Sequence, residues 1–471
     1  MNHLRRQEGG LAVSADLTIH PNIPAPAEEA LRALEAAGFE GFLVGGCVRD
    51  LLRGDAPNDW DITTNALPQQ VEAVFSGARV IETGLKHGTV TVLQDGMPLE
   101  ITTYRIDRGY SDSRHPDRVE FSARLEDDLS RRDFTVNAMA WSPTRGLVDC
   151  CGGREDLRAG VLRCVGDPMA RFSEDALRIL RLLRFSARLG FAVEEKTAAA
   201  ALALREKLRL VSAERIQKEL TGLLCAPDSA RVLTEFFDIL TVPLPELLPC
   251  HGFEQHHPRH AYDVWTHCVK TAQAVPATPA LRWAALLHDV GKPDCFTLDA
   301  EGVGHFYGHA KRSVVLAEQI LDRLRFDRRT EDRILRLIEA HDLPLQYPPE
   351  QEERAVRRLL GRLGEEEFFL LLALKRADTV GQGVPHPTRL ELFSHIEALA
   401  RALLSAHTCL TLRELAVSGD DLLALGMQEG PAVGEMLHRL LEAVTDGTIE
   451  NTPEALRQAA LGDLQESKRK Q

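Results

Sequence analysis

Asp59 and Asp61 stand one residue apart in the segment NDWDITT. In an extended strand, residues i and i+2 project to the same face, so these two carboxylates share one side. Paired carboxylates hold hard divalent cations, with phosphate oxygens and water completing the shell. Such ions activate an attacking hydroxyl and stabilise a leaving pyrophosphate. A lone D-x-D pair is more often a solvated turn, so its surroundings matter. Thirteen residues before Asp59 lies Gly46, in LVGGCVRD. A Gly-Gly turn after a strand lets backbone N–H groups approach a phosphate closely. Arg49 follows on the expected helix, placed to neutralise phosphate charge.

A second set of chemically capable residues lies far downstream. His288 and Asp289 close the apolar helical run LRWAALLHDVGKP. His267 lies in YDVWTHCVK, His309 in FYGHAKRS, His341 in IEAHDLP and Asp378 in KRADTVGQ. All fall in expected helices or at helix ends. Imidazoles and carboxylates from several helices can converge in a bundle core on one or two divalent ions. A site of that kind activates water toward a phosphate ester. Lys292, in HDVGK, is placed to stabilise developing negative charge. Four other histidines, His251, His256, His257 and His260, cluster beside an apparent linker and read as polar surface residues.

The elements that must position these residues form two textures. Residues 28–38 have helical periodicity and a terminal Gly. FLVGG (42–46) followed by CVRDLLRG (47–54) reads as strand, tight turn and helix. TVTVL (89–93) and LEITT (99–103) read as a hairpin turning at Gln-Asp-Gly. From about residue 170 onward, helical Leu/Ala/Arg/Glu segments dominate. TVPLPELLP (241–249) is the best linker candidate, and LPLQYPPE (343–350) a second. The expected class is α+β: a small mixed sheet with helices, followed by an all-α remainder.

LVGGCVRDLLRG followed by NDWDITT resembles the signature of the class II tRNA nucleotidyltransferase and bacterial poly(A) polymerase family. The resemblance implies a polymerase-β-like nucleotidyltransferase head, Asp59 and Asp61 as Mg²⁺ ligands, and Gly46 and Arg49 as nucleotide contacts. RRDFTVNAMA (131–140) is similar to the family segment that contacts ribose and phosphates. It implies Arg132 on the triphosphate, with Asp133 and Asn137 ordering the sugar. DCCGGREDL (149–157) resembles a hinge-like motif, and SAERIQKEL (212–220) the last neck motif. In the latter, Ser212 and Glu214 look like helix-start chemistry.

SEDALRILRLLRF (173–185) resembles the family's nucleotide-selecting helix. On a helix, Asp175 and Arg178 would be i,i+3 neighbours. Cytosine and adenine both present an exocyclic amine beside an unprotonated ring nitrogen; a carboxylate accepts from the first and a guanidinium donates to the second. Uracil and guanine reverse that pattern and leave buried polar groups unpaired. Arg181 and Arg184 continue at steps of three, toward the nucleotide or the RNA end. DRGYSDSRHPDRVEF (107–121) resembles the loop of enzymes that add CCA or its terminal A, although Arg108 separates the usual Asp-Gly pair. TGLKHGTVTV (83–92) is similar to the tRNA-enzyme version of its strand pair. The strand pair favours tRNA maturation over poly(A) synthesis, the loop favours CCA addition over CC addition, and addition of the terminal A alone stays open. The implied partners are tRNA, CTP and ATP.

The downstream histidines resemble the HD phosphohydrolase superfamily, in the arrangement attached to some bacterial CCA-adding enzymes. His267, His288, Asp289 and Asp378 match the H…HD…D pattern, and His309 and His341 the extra positions of two-metal members. The resemblance implies Ni²⁺, Mn²⁺, Co²⁺ or Mg²⁺ at this site, with 2′,3′-cyclic phosphodiesterase or phosphatase activity. A retained metal site that only stiffens the body is the competing view. The expected layout is an extension (1–27), the head (28–165), a helical neck (166–245), an HD domain (250–385) and a helical tail (386–471).

Composition bounds these readings. The 471 residues suggest about three domains. No apolar run is long enough to span a membrane, and no apolar stretch follows the N-terminal arginines as in a signal peptide. A cytoplasmic protein without membrane partners is expected; nothing in the sequence sets an oligomeric state. Nine cysteines without a C-x-x-C pair read as reduced thiols. The net charge of -14 speaks against a nucleic-acid partner, yet residues 154–220 hold 14 Lys+Arg against 10 Asp+Glu. A locally cationic surface can bind an RNA end on an anionic molecule.

Overall fold

The computed structural model describes residues 23–84, 88–108, 118–406 and 411–469. The chain divides into two compact units, Met1–Pro245 and Glu246–Gln471. The division falls inside the Pro-rich segment 241–249.

The apolar run FLV becomes β1 (Gly41–Val44), whose four residues are all buried. β2 (Trp60–Thr64) pairs antiparallel with it, Leu43 opposite Ile62. β3 (Arg79–Gly84), β4 (Thr89–Gln94) and β5 (Met97–Thr103) extend the sheet on one side. A short hairpin of β6 (Arg105–Arg108) and β7 (Arg118–Phe121) stands apart. β8 (Met139–Ser142) and β9 (Gly146–Asp149) close the sheet, in the order β3-β4-β5-β2-β1-β8-β9. Among the described residues the only parallel pair in this sheet is β2 with β5, which sets Asp61 opposite Glu100. β4 turns into β5 at Asp95-Gly96, both with positive φ (47° and 81°), the geometry favoured in two-residue hairpins. The sequence segments 83–92 and 107–121 are described only in part, since 85–87 and 109–117 lie outside the described residues.

Helices follow the sheet. Leu177–Leu189 buries Ile179, Leu180, Leu182 and Leu183, so its arginines fall on the opposite side. One expectation fails here. The segment 173–185 is not one helix: Pro168–Glu174 ends before Asp175, which is extended (φ -142°, ψ 104°). The Asp175 carboxylate accepts from Leu177 N at 3.0 Å and from Arg215 Nη2 at 2.6 Å. Short polar side chains compete with helix continuation by bonding nearby backbone N–H groups. The i,i+3 relation to Arg178 therefore does not apply.

The second unit is helical apart from a small hairpin of Thr297–Leu298 with Gly304–His305. Helices Val264–Ala274, Pro279–Leu287, His309–Arg323, Arg328–Ala340 and Glu365–Gly381 surround the buried Trp265 and Trp283. Asp263 and Asp327 cap two of them, accepting from Thr266 N and Thr330 N. Phe368, Phe393 and Ile396 centre a further core that also takes in Leu345, so the second linker candidate, 343–350, packs within this unit. The tail is helical as expected, and Leu422, Met436, Leu440 and Leu456 form its own core. Among the described cysteines none forms a disulfide, and Cys47, Cys164, Cys250 and Cys268 are buried. No described helix is long and apolar enough to cross a membrane.

The hinge-like motif is held by close backbone contact. A Cβ at Gly153 would lie 2.2 Å from the Thr135 carbonyl oxygen, and Thr135 Oγ1 donates to Asp156 at 2.6 Å. Gly153→Ala should destabilise the protein by about 2 kcal/mol through overpacking. Urea unfolding checks this; an unchanged midpoint would mean the two backbones can separate freely.

Candidate functional site

The first unit contains a cavity of about 350 Å³ that gathers the head motifs. Asp61 lies on β2 and Asp59 immediately before it, and both line the cavity. The turn after β1 supplies Gly45 and Gly46. The glycine that the backbone requires is Gly45, at φ +78°, where a Cβ would meet Arg132 Nη1 at 2.8 Å. Helix Gly46–Arg53 starts here, so its first turn, with N–H groups unpaired within the helix, borders the cavity. Burial pushes the Asp61 carboxyl up to about 6, against the pull of Arg132, with Glu100 and Asp59 adding to the rise. Two carboxylates at one wall are the hard oxygen donors that Mg²⁺ takes, so the residues present fit that ion.

Arginines form the other wall, four of them oriented by a neighbour. Arg49 is buried, pairs with Asp50 at 2.7 Å and donates to Asn137 Oδ1 at 2.5 Å. Arg132 donates to Asp128 at 3.3 Å, while its buried Nε has no partner. Arg181 pairs with Asp133 at 2.7 Å, and Arg184 with Glu219 at 2.5 Å. The Phe185 ring is approached by Arg49, Arg181 and Arg184, with guanidinium carbons 5.3, 5.2 and 4.5 Å from its centroid. Burial pushes the Asp133 carboxyl up, but Arg181 and Asn137 outweigh it and hold it at about 2. Of the expected nucleotide contacts, Gly46, Arg49, Arg132, Arg181 and Arg184 line this cavity. Asp175 and Arg178 are not among its lining residues: Asp175 meets Arg215, and Arg178 meets Glu174 at 2.6 Å. Ser212 occupies the cap position of helix Ala213–Leu224 but makes no side-chain capping bond. Glu219 and Arg188 were not singled out from the sequence; only their helical spacing from motif residues hints at them.

The second unit brings all six expected ligands together. His267 Nε2 lies 3.2 Å from Asp289 Oδ2, 3.2 Å from Asp378 Oδ1 and 3.2 Å from His288 Nε2. His309 Nε2 lies 3.3 Å from Asp289 Oδ1 and 3.1 Å from His341 Nε2, and His341 Nε2 is 3.6 Å from the same Oδ1. The two Asp289 oxygens thus face two ligand groups. His288, His309 and His341 each place Nδ1 against a backbone carbonyl, of Ala285, Phe306 and Ile338. A carbonyl only accepts, so Nδ1 carries a proton and Nε2 is the nitrogen left to offer a lone pair to a bound cation. The cluster demands positive charge. Burial opposes charge on His288, yet Asp289 and Asp378 carry its pKa up to about 10. Buried imidazoles and carboxylates at these separations fit one or two divalent cations. Lys292 Nζ donates to Asp289 Oδ2 at 2.6 Å and to Gln255 Oε1 at 2.8 Å.

This cluster opens on a cavity of about 980 Å³. His257 and His260 line it, unlike the exposed His251 and His256. The His260 ring stands 5.2 Å from that of His267, and burial first, then the charge of Lys292, drives its pKa down to about 3. The reading of these four as surface residues therefore fails for His260. The missed signal is that they immediately precede the helix bearing His267.

A mixed sheet with paired carboxylates at a strand mouth and a Gly-Gly helix start defines a nucleotidyltransferase head, and residues 41–163 match the family model for the poly A polymerase head domain. Residues 190–248 match the model for the RNA- and SrmB-binding site of polymerase A, and 307–460 that for tRNA nucleotidyltransferase domain 2. The chain belongs to the family of CCA-adding enzymes. It is 34% identical to the CCA-adding enzyme of Lactobacillus helveticus over 440 residues, 93% of this chain and 96% of that protein. That of Lactobacillus delbrueckii subsp. bulgaricus is 34% identical over 426 residues, 90% of this chain and 94% of its own. The crystal structure of the Bacillus stearothermophilus CCA-adding enzyme in complex with CTP covers 95% of this chain and 100% of its own, with TM-score 0.70 and 28% identity.

The raised Asp61 pKa gives a signed expectation. Below about pH 6 the folded carboxyl holds a proton that a cation must displace. Mg²⁺-dependent nucleotide incorporation should fall as pH drops through that value, and more Mg²⁺ should move the acid limb lower. A limb indifferent to Mg²⁺ concentration would refute Asp61 as a ligand.

Proposed function

We propose that this chain adds CCA to the 3′ ends of tRNA from CTP and ATP. The carrying observation is the cavity that sets Asp59 and Asp61 against Arg49, Arg132, Arg181 and Arg184 in a CCA-adding family member. In this reading the tRNA 3′-oxygen forms a bond to the α-phosphorus, the bond to the β-phosphate side breaks, and pyrophosphate leaves. Asp59 and Asp61 hold Mg²⁺, which supplies hydroxyl activation and charge stabilisation on the leaving group. Gly46 and the arginines bind and orient the triphosphate. Asp175 and Arg178, which lie outside the cavity lining and are engaged by Arg215 and Glu174, read the base once they turn from these partners. Residues 28–165 carry the chemistry, 166–245 the selecting neck, and 386–471 a helical surface for the body of the tRNA.

Transcripts ending before CCA should gain three nucleotides and stop. Asp61→Ala should lower that incorporation by roughly 100-fold or more. Extension only of transcripts ending in CC would reduce the activity to A addition. Long tails on unfolded RNA would replace it with poly(A) synthesis, and no incorporation by intact protein with Mg²⁺ would overturn it.

We infer a second activity for the helical unit, a metal-dependent phosphohydrolase within 250–385. The convergence of His267, His288, Asp289, His309, His341 and Asp378 supports it. These residues would hold Mn²⁺, Ni²⁺, Co²⁺ or Mg²⁺, which supplies water activation when bound. Lys292 holds one Asp289 oxygen and offers positive charge to a phosphate. Asp289→Ala should remove bound transition metal, measured by elemental analysis, and abolish phosphate-ester cleavage of 2′,3′-cyclic AMP while CCA addition persists. Bound metal without hydrolysis in the wild type would leave a structural site instead.

A further inference from the structure

Five arginines line the cavity of Asp59 and Asp61. Four are matched by acids: Arg49 by Asp50, Arg132 by Asp128, Arg181 by Asp133 and Arg184 by Glu219. A guanidinium bonded to a fixed carboxylate is well oriented, but the pair carries little net charge toward an incoming anion. The fifth, Arg188, has no acidic partner within salt-bridge distance among the described residues, and its side chain is exposed. It stands one turn beyond Arg184 on the same face of helix Leu177–Leu189. Its charge presses on that of Arg49 across the cavity. Arg188, without a salt-bridge partner among the described residues, faces the same cavity as the Asp59 and Asp61 carboxylates; with a cation held by those two acids, the site is completed by an anion.

The anion is a nucleotide in the proposed transfer reaction, on which this inference rests. The most highly charged end of a nucleoside triphosphate is its terminal phosphate, about -2 at neutral pH. It lies at the far end from the base and two phosphorus atoms from the one attacked. An exposed, flexible cation beside the matched arginines suits that end better than the reacting phosphate, where rigid placement is needed. We infer that Arg188 binds the terminal phosphate of the incoming nucleotide and makes the cavity prefer triphosphates over monophosphates.

Two other roles predict different results. Arg188 sits in the last turn of its helix, where a cation also favours the helix dipole. That role alone would move thermal stability and leave nucleotide affinity untouched. A contact to the RNA backbone would raise the KM for tRNA and spare nucleotide binding. Calorimetry of the full chain with CTP, ATP and CMP, with Mg²⁺ and no RNA, separates these. Arg188→Gln and Arg188→Ala should weaken CTP and ATP about tenfold each, as loss of one charge-assisted contact does. CMP affinity and the melting temperature should stay unchanged, and Arg188→Lys should recover part of the loss. Equal loss for CTP and CMP, no loss for either, or an effect confined to the KM for tRNA would overturn the inference. Absence of CTP binding by the wild type would instead count against the transfer reading.

Discussion

The head depends on one constraint: guanidinium groups of like charge must be held around a small cavity without driving one another apart. Acids standing behind them meet it. Asp133 is buried and receives Arg181, Asn137 Nδ2 and the Phe134 N–H, so all three are fixed through one carboxylate. Asp128 receives Arg131 and Arg132, and Glu219 receives Arg184. Burial raises the Asp128 and Asp133 carboxyls, and the arginines overcome that to keep both ionised. A buried acid ringed by cations is costly to form and costly to disrupt, which favours a single arrangement of the donors. Their orientation is thus settled before any ligand arrives.

The helical unit solves the reverse problem. Imidazoles and carboxylates converge there, an arrangement that positive charge placed among them would stabilise. Asp289 divides its two oxygens between ligand groups drawn from different helices, so one carboxylate couples the packing of His267 and His288 to that of His309 and His341. Backbone carbonyls fix the ring tautomers, which makes the helix ends themselves part of the site.

Local spacing made the strand-turn-helix around Gly46, the 89–103 hairpin and the helix ending at His288-Asp289 legible before any coordinates. These signals are short-range: a glycine pair, an alternation, an apolar period ending in His-Asp. What escaped was long-range or broke a local rule. Glu219 reaches Arg184 across 35 residues, and Asp133 reaches Arg181 across 48. His260 was missed because its place just before the helix bearing His267 does not by itself show that its ring packs against that of His267. Asp175 was placed on a helix because 173–185 resembles the family's selecting helix, whereas its own carboxylate bonds Leu177 N and Arg215. Competition between a side chain and the helix is decided by tertiary partners, which spacing does not contain.

The extended Asp175 has a consequence for how nucleotide choice can vary within this fold. Arg215, its partner, belongs to helix Ala213–Leu224, while Asp175 lies between two other helices. The position of the proposed base-reading carboxylate is therefore set by how these helices pack rather than by one rigid rod. A conservative change among the apolar residues between Leu177–Leu189 and Ala213–Leu224 could retune which base is accepted while every residue of the reading pair stays the same. On the proposed base-reading role, fidelity would be distributed through the hydrophobic interior, and divergence in specificity need leave no mark on the motifs themselves.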